Sequence, residues 1–174
     1  MQLPPALRQA VDAALEGIPR ASLAAAHDAL SQRYRGEVRD GRAHLADDLS
    51  ASAYLAARLP ATYAAIRAAL GAVAERRPDF APRSLLDFGA GPGTALWAAR
   101  DCWPDLDAAL LIESSAAIRT FGASVAKESG VARIDWQSTL TASPPHDLVT
   151  IAYVLDELDP AQRSPLLGRV WALT

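Results

Sequence analysis

The residues most able to do chemistry form one short stretch, Leu85-Leu86-Asp87-Phe88-Gly89-Ala90-Gly91-Pro92-Gly93-Thr94. An apolar run ends at an acid, glycines follow at alternate positions, and a helical pattern opens at once. Glycines there permit a tight turn and let a ligand approach the backbone where a Cβ would collide. The helix that follows offers unpaired N–H groups and a positive dipole end, which suit an anionic ligand group. A dinucleotide-binding turn wants its third glycine three positions after the second. Here Gly93 comes two after Gly91, and Thr94 holds the dinucleotide position. A second acid belongs to the same arrangement. A carboxylate that accepts from both ribose hydroxyls is expected at the end of the next strand, about 20 residues on. Glu113 ends the run Ala109-Leu110-Leu111-Ile112 at that distance.

Other chemistries lack their parts. One cysteine, Cys102, and three scattered histidines, His27, His44 and His146, give neither metal-ligand spacing nor an internal disulfide. Cys102 stands beside Trp103 in a predicted helix and reads as a buried, inert thiol. No Gly-x-Ser-x-Gly turn is present, which leaves a hydrolase without a nucleophile in an activating setting. Asp156 and Glu157 follow the last apolar run, where a helix start gives them a dipole to favour; no general base is assigned. The net charge of −3 argues against a surface that grips DNA or RNA electrostatically. Arg33, Arg35, Arg39 and Arg42 cluster and could meet phosphates, but Glu37, Asp40 and Asp47 lie close by and favour a solvated loop. No apolar run approaches the roughly 18 to 20 residues needed to cross a bilayer. Met1-Gln2-Leu3-Pro4-Pro5 lacks the basic start and apolar core of a secretory signal. The expectation is a cytoplasmic protein with no membrane partner.

Two kinds of pattern surround the glycine stretch. Residues 1–80 read as a helical region. Leu7, Val11, Leu15 and Ile18 repeat at helical spacing, and Ser22 is a plausible N-cap for a second helix to about Arg33. Gly36–Gly41 breaks the pattern, and a third short helix is expected from Asp48 or Ser50 to Pro60. In a fourth, Tyr63, Ile66, Leu70 and Val73 line one face and Pro78 stops it. After Pro82 apolar runs alternate with helical patterns: Ser84–Phe88, a helix over Pro92–Trp103, Ala108–Ile112, a helix over Ser115–Lys127, Val131–Trp136 and Leu148–Leu155. That alternation predicts βαβ units in an α/β domain with a parallel sheet over residues 81–174. Runs such as Leu148-Val149-Thr150-Ile151 suit strands covered on both faces. Asp159-Pro160-Ala161-Gln162 supplies an N-cap, a Pro at N1 and a Gln at N3, with Pro165 set to kink the helix that follows.

The glycine stretch resembles the acidic-x-Gly-x-Gly-x-Gly loop of class I S-adenosylmethionine-dependent methyltransferases. The resemblance implies a Rossmann-like fold in which Asp87, Gly89, Ala90, Gly91 and Gly93 wrap the methionine end of S-adenosylmethionine and Glu113 holds its ribose. It assigns the end of the third strand, Asp135-Trp136, to the adenine edge and face, and the end of the fourth, around Tyr153, to the methyl group. The Asn/Asp-Pro-Pro-Tyr/Phe motif of enzymes methylating exocyclic amines is absent; Ala152-Tyr153-Val154-Leu155 stands in its place.

Three segments narrow the resemblance to the ribosomal small-subunit methyltransferase-like family of mitochondria and bacteria, the Rsm-twenty-two type. They are Tyr54-Leu55-Ala56-Ala57-Arg58-Leu59-Pro60-Ala61-Thr62-Tyr63, the glycine segment with Trp97, and Tyr153-Val154-Leu155-Asp156-Glu157-Leu158. That family implies association with the small ribosomal subunit and its RNA during ribosome assembly, as a methyltransferase or as a non-catalytic assembly factor keeping the fold. Its members carry a cysteine-rich C-terminal half that can hold an iron–sulfur cluster. This chain ends at Thr174, where the family would enter its fifth strand, so no cluster is carried over to Cys102 alone. The strands present would be ordered 3-2-1-4, with the fourth as an edge.

Overall fold

The computed structural model describes residues 2–35, 52 and 55–174. Arg39 and Arg42, the side chains of Arg33 and Arg35, the break over Gly36–Gly41, Tyr54 and most of the third expected helix lie outside the described residues.

Four short strands form one parallel sheet, β1 (Ser84–Phe88), β2 (Ala108–Ile112), β3 (Arg133–Gln137) and β4 (Leu148–Ile151), in the order β3-β2-β1-β4. Asp87 in β1 pairs with Leu111 on one side and Thr150 on the other. Because side chains alternate along a strand, Leu85, Ala109, Leu111, Ile134 and Leu148 serve one face and Leu86, Leu110, Ile112 and Val149 the other.

The first face is deeply covered by α1 (Pro5–Leu15), α3 (Leu59–Arg76), α4 (Thr94–Cys102) and α5 (Ala116–Ala126), while α2 (Arg20–Arg35) follows α1 in the chain. Every residue of α4 from Thr94 to Ala99 is buried, and Ala95, Ala98 and Ala99 let neighbouring helices come close. Leu59, Tyr63, Ile66 and Leu70 of α3 share one core with Leu96, Trp97 and Leu85, so the N-terminal helices and the sheet bury a common interior. Each Leu or Ile so buried contributes about 1.5–3 kcal/mol. The Tyr63 hydroxyl donates to the Asp101 carboxylate, and burial and that bond hold its pKa above the ordinary tyrosine range. Phe80 meets Trp103 edge to face, with ring centroids 5.5 Å apart.

The second face is thinly covered. Leu140, from the loop that joins β3 to β4, and Leu173, just past α6 (Pro160–Trp171), pack on Leu86, Leu110 and Ile112. The His146 amide donates to the Leu173 carbonyl at 2.7 Å and ties that loop to the chain end. Asp147 anchors the start of β1: its carboxylate accepts from the Arg83 and Ser84 amides and from Ser84 Oγ at 2.9, 3.0 and 3.0 Å.

Several boundaries differ from expectation for local reasons. Pro60 lies in the first turn of α3, where a missing N–H costs nothing, and so starts that helix instead of ending the one before. Val73 is 41% exposed and leaves the apolar face of α3. β4 stops at Ile151 and not at Leu155, because the backbone turns at Tyr153 and residues 155–157 form a turn. Asp156 and Glu157 sit in that turn, before α6 begins. Asp159 caps α6 by accepting from the Ala161 amide at 3.0 Å, and the helix runs on through Pro165.

Candidate functional site

Three positive φ angles explain the glycine spacing. Gly89, Gly91 and Gly93 have φ of 73°, 54° and 85°, in the left-handed region that a β-carbon disfavours. Gly93 is also the N-cap of α4, so the last of these turns sets the direction of the helix. At Gly89 space is limiting as well as φ: an added Cβ would lie 2.1 Å from Val154 Cγ2.

The turn is laced to the tips of the neighbouring strands. The amides of Gly89 and Ala90 both donate to the Ile112 carbonyl at 2.9 Å, which fixes the loop on the last residue of β2. One residue on, the Glu113 carboxylate accepts from the Gly91 amide at 2.9 Å and from the Ser115 amide at 2.7 Å. The Glu113 amide donates to the Gln137 carbonyl at 2.9 Å, joining β3 to the same row. Arg119 Nη1 donates to the Glu113 carbonyl at 2.5 Å and holds the backbone from α5. The result is a half-buried carboxylate beside a glycine cradle, at the N-terminus of a buried helix.

Asp87 occupies a different place from the other loop residues. It is 1% exposed and accepts from Thr150 Oγ1 at 2.7 Å, across the β1–β4 pair. Burial pushes its pKa up to about 7; the Thr150 bond opposes this, and the nearby Glu113 charge adds to it. Asp87 therefore supports the loop from within and ties it to β4. Thr94 Oγ1, at the first turn of α4, is buried with no hydrogen-bond partner. It is a free polar group at the point where the helix presents its own unpaired amides.

Asp87, Gly89, Ala90, Gly91, Gly93 and Glu113 are thus brought together. Tyr153 joins them through its neighbour Val154, which packs on Gly89. Asp135 and Trp136 are separated by the strand's alternation. Asp135 is exposed and accepts from Gln137 Nε2 at 2.8 Å. Trp136 is half-buried, with its six-membered ring against Gly93 and Gly122; a Cβ on Gly122 would lie 2.4 Å from Trp136 Cη2. Its indole N–H is buried without a partner. The strand's last residue is Gln137, one beyond the expected end.

Thr150, Gly122, Val154, Ser115 and Arg119 were not singled out from sequence. Only Ser115 carried a readable signal, as the N-cap of α5, where its hydroxyl accepts from the Ile118 amide. Cys102 is half-exposed, and burial raises its pKa, so the thiol form dominates at neutral pH. Among the described residues no group of His, Cys, Asp and Glu could hold a metal ion, and no helix is long and apolar enough to cross a membrane.

Residues 48–174 match the model of a family described as mitochondrial small ribosomal subunit Rsm22. The human mitochondrial ribosome assembly protein METTL17 is 32% identical over 133 residues, which cover 70% of this chain and 29% of the human protein. The match therefore spans just under a third of that relative's length. Among solved structures, the mitomycin 7-O-methyltransferase MmcR aligns over 85% of this chain and 46% of its own, with a TM-score of 0.55 at 21% identity. The fold is accordingly the Rossmann-like one of methyltransferases, with strand order 3-2-1-4. The expectation of a cytoplasmic protein is overturned, since the matched family and the human relative are both mitochondrial. The absence of a secretory signal and of a membrane span does not separate the cytosol from the interior of an organelle.

Proposed function

The chain belongs to the family of the mitochondrial small ribosomal subunit protein Rsm22, and on that premise we propose that it is the cofactor-binding portion of a methyltransferase-fold protein acting in small-subunit assembly. In this reading residues 81–174 are the methyltransferase part and residues 1–80 a helical region, of which α1 and α3 share its core. S-adenosylmethionine is the cofactor that suits the site. The observation that carries this reading is Glu113, held 2.9 Å from the Gly91 amide at the lip of a cradle of three left-handed glycines. A β-carbon at any of them would strain the loop, and the carboxylate keeps further lone pairs for ribose hydroxyls.

In this reading Gly89, Ala90, Gly91 and Gly93 give the methionine end backbone to lie on, and the first turn of α4 meets its carboxylate. Glu113 orients the ribose. Asp87 fixes the loop from below, and Tyr153 stands at the methyl end. Asp135 and Trp136, facing opposite sides of β3, support the adenine only indirectly. S-adenosylmethionine, when bound, supplies an electrophilic methyl group on a sulfonium. What the protein adds is alignment, which alone lowers such a barrier greatly.

A second reading is favoured by one observation: the human relative is itself called a ribosome assembly protein. A member that binds cofactor for stability and assembles subunits without methylating them fits it.

Calorimetric titration of the chain with S-adenosylmethionine tests the cofactor reading: saturable one-to-one binding is expected, and none at millimolar ligand would overturn it. Methyl transfer to small-subunit RNA by the full-length protein then separates the enzyme from the assembly factor.

A further inference from the structure

The crossover from β3 to β4 is made without a helix. Parallel strands are usually joined through one, but residues 138–147 contain Pro144-Pro145, which remove two amides and favour extended backbone before them. The second face of the sheet is left to this loop and to the segment that follows α6. Leu140 from the one and Leu173 from the other pack on Leu86, Leu110 and Ile112. A groove of about 460 Å³ runs between them, bordered by Leu140 and Ser143 on one side and Arg169 and Leu173 on the other. Packing therefore does not close the two segments on each other. Arg169 Nη2 reaches the Leu140 carbonyl only at 3.5 Å. The short bond between loop and segment runs from the His146 amide to the Leu173 carbonyl, at 2.7 Å.

The ring of the same residue is set up for one protonation state. Ser143 Oγ donates its single hydrogen to the Pro144 carbonyl at 3.2 Å and lies 3.0 Å from His146 Nε2. With that hydrogen used, Oγ is the acceptor at Nε2, which places the imidazole proton there. His146 Nδ1 then carries a bare lone pair, and it is buried with no hydrogen-bond partner. A second proton would put a charged N–H at that buried position with no acceptor, a costly arrangement. Burial accordingly holds the His146 pKa below the ordinary histidine value, against the opposing charge of Asp147. The Asp147 carboxylate is itself committed to the Arg83 and Ser84 amides and Ser84 Oγ. Arg169 of α6 and Arg83 ahead of β1, the charged residues on the other elements that meet this loop, are cations and give an imidazolium nothing to pair with.

We propose that His146 is an acid-released latch: its neutral ring holds the 138–147 loop on the segment after α6, and the imidazolium lets the loop go and uncovers the second face of the sheet. The charged ring must leave for water, and the amide of the same residue leaves the Leu173 carbonyl with it. Leu140 and Leu173 then lose their common anchor over Leu86, Leu110 and Ile112. The sign follows from the direction of the shift. The latch is fully made above the ordinary histidine range and is lost as pH falls below it. This device lies on the opposite face of the sheet from the first-face helices and does not depend on the function proposed above.

Hydrogen exchange of the whole chain, followed by NMR from pH 8 to pH 5, tests the latch. The protection factor of the His146 amide should fall with pH, by up to about tenfold per unit, the slope of one proton taken up on opening. The Trp103 and Asp107 amides, bonded to the Ala99 and Arg83 carbonyls, should keep theirs. Asp87 titrates in the same range with the opposite sign, since its protonation favours the folded state, so it does not imitate a loss confined to the loop. His146→Gln sets a side-chain N–H near the place of Nε2–H and does not titrate, so protection at residue 146 should be flat with pH. Anilinonaphthalene sulfonate should bind the wild type at pH 5 and not at pH 8, and the glutamine variant at neither. The latch is overturned if the His146 amide stays protected at pH 5, if it loses protection in step with Trp103 and Asp107, or if His146→Gln follows the wild-type profile. Should the glutamine variant not fold, the wild-type exchange decides together with NMR titration of the His146 ring, and a ring that titrates at or above the ordinary histidine value overturns the latch.

Discussion

Val154 fills the space that a side chain at Gly89 would need, with Cγ2 only 2.1 Å from the ideal Cβ position. The contact locks the turn after β4 onto the turn after β1, so each depends on the other for its shape. Gly89→Ala meets both a steric clash and a φ of 73°. It should destabilise the fold by about 2–4 kcal/mol, combining overpacking with left-handed strain. Val154→Ala in the same chain should return the overpacking part and leave about 1–2 kcal/mol of backbone cost. Denaturant midpoints of the two single variants and the double variant check this, and additive effects would show that the two turns are independent.

Glu113→Gln keeps the shape of the side chain but removes its charge, along with one of the acceptors used by Gly91 and Ser115. Charge-assisted bonds are worth about 1.5–3 kcal/mol each, so S-adenosylmethionine affinity should fall about tenfold or more. Calorimetry of the two proteins side by side measures it. Equal affinities would take Glu113 out of the site.

Gly122→Ala decides between two opposed effects. Alanine in a helix is favoured over glycine by about 1 kcal/mol. The new methyl group would lie 2.4 Å from Trp136 Cη2 and 3.1 Å from the Pro92 backbone, where overpacking costs about 1–3 kcal/mol. The clash should win, and the melting temperature should drop. Adding Trp136→Leu should restore part of it, since the obstructing ring is then gone. A more stable Gly122→Ala protein would mean that α5 and the indole separate easily.

Asp87 gives the fold a pH dependence of defined sign. Its folded pKa of about 7 lies above the ordinary 3.8, so between those values the folded protein holds more protons than the unfolded chain. Its contribution to stability is therefore full below the unfolded pKa, declines as pH rises through this window, and is flat above it. A shift of that size corresponds to a loss of up to about 4 kcal/mol. Asp87→Asn should accept the same Thr150 bond and show a flatter stability profile from pH 5 to 8. Parallel profiles for the two proteins would place the proton elsewhere.

The parts of the site legible in sequence are those fixed by local backbone demands. Alternate glycines between an apolar run and a helix announce left-handed turns, and the next run's terminal acid follows from strand spacing. What stayed hidden depends on which distant residues meet. Thr150 faces Asp87 only because β4 pairs with β1 in one register, and nothing near residue 150 signals it. Gly122 looks like an ordinary weak helix position until the Trp136 ring is found against it. Asp135 and Trp136 illustrate the limit of a run read without its faces. Strand alternation sends one to solvent and the other against α5, whatever ligand the strand's tip serves. The expected strand ran on through Tyr153 to Leu155 because Tyr-Val-Leu has strand character, whereas the contact of Val154 with Gly89 turns the chain there.

The interior shared by the N-terminal helices and the sheet bears on how the chain could be dissected. Tyr63 reaches Asp101 and Phe80 lies edge-on to Trp103, so the connection between α3 and β1 is bridged by side chains on both of its flanks. A protease site placed in the exposed stretch around Asp79 would sever the peptide without freeing either piece. The two fragments should co-purify as a nicked complex and part only in denaturant. The glycine cradle is thus inherited together with its helical partner and cannot be lifted out as a module.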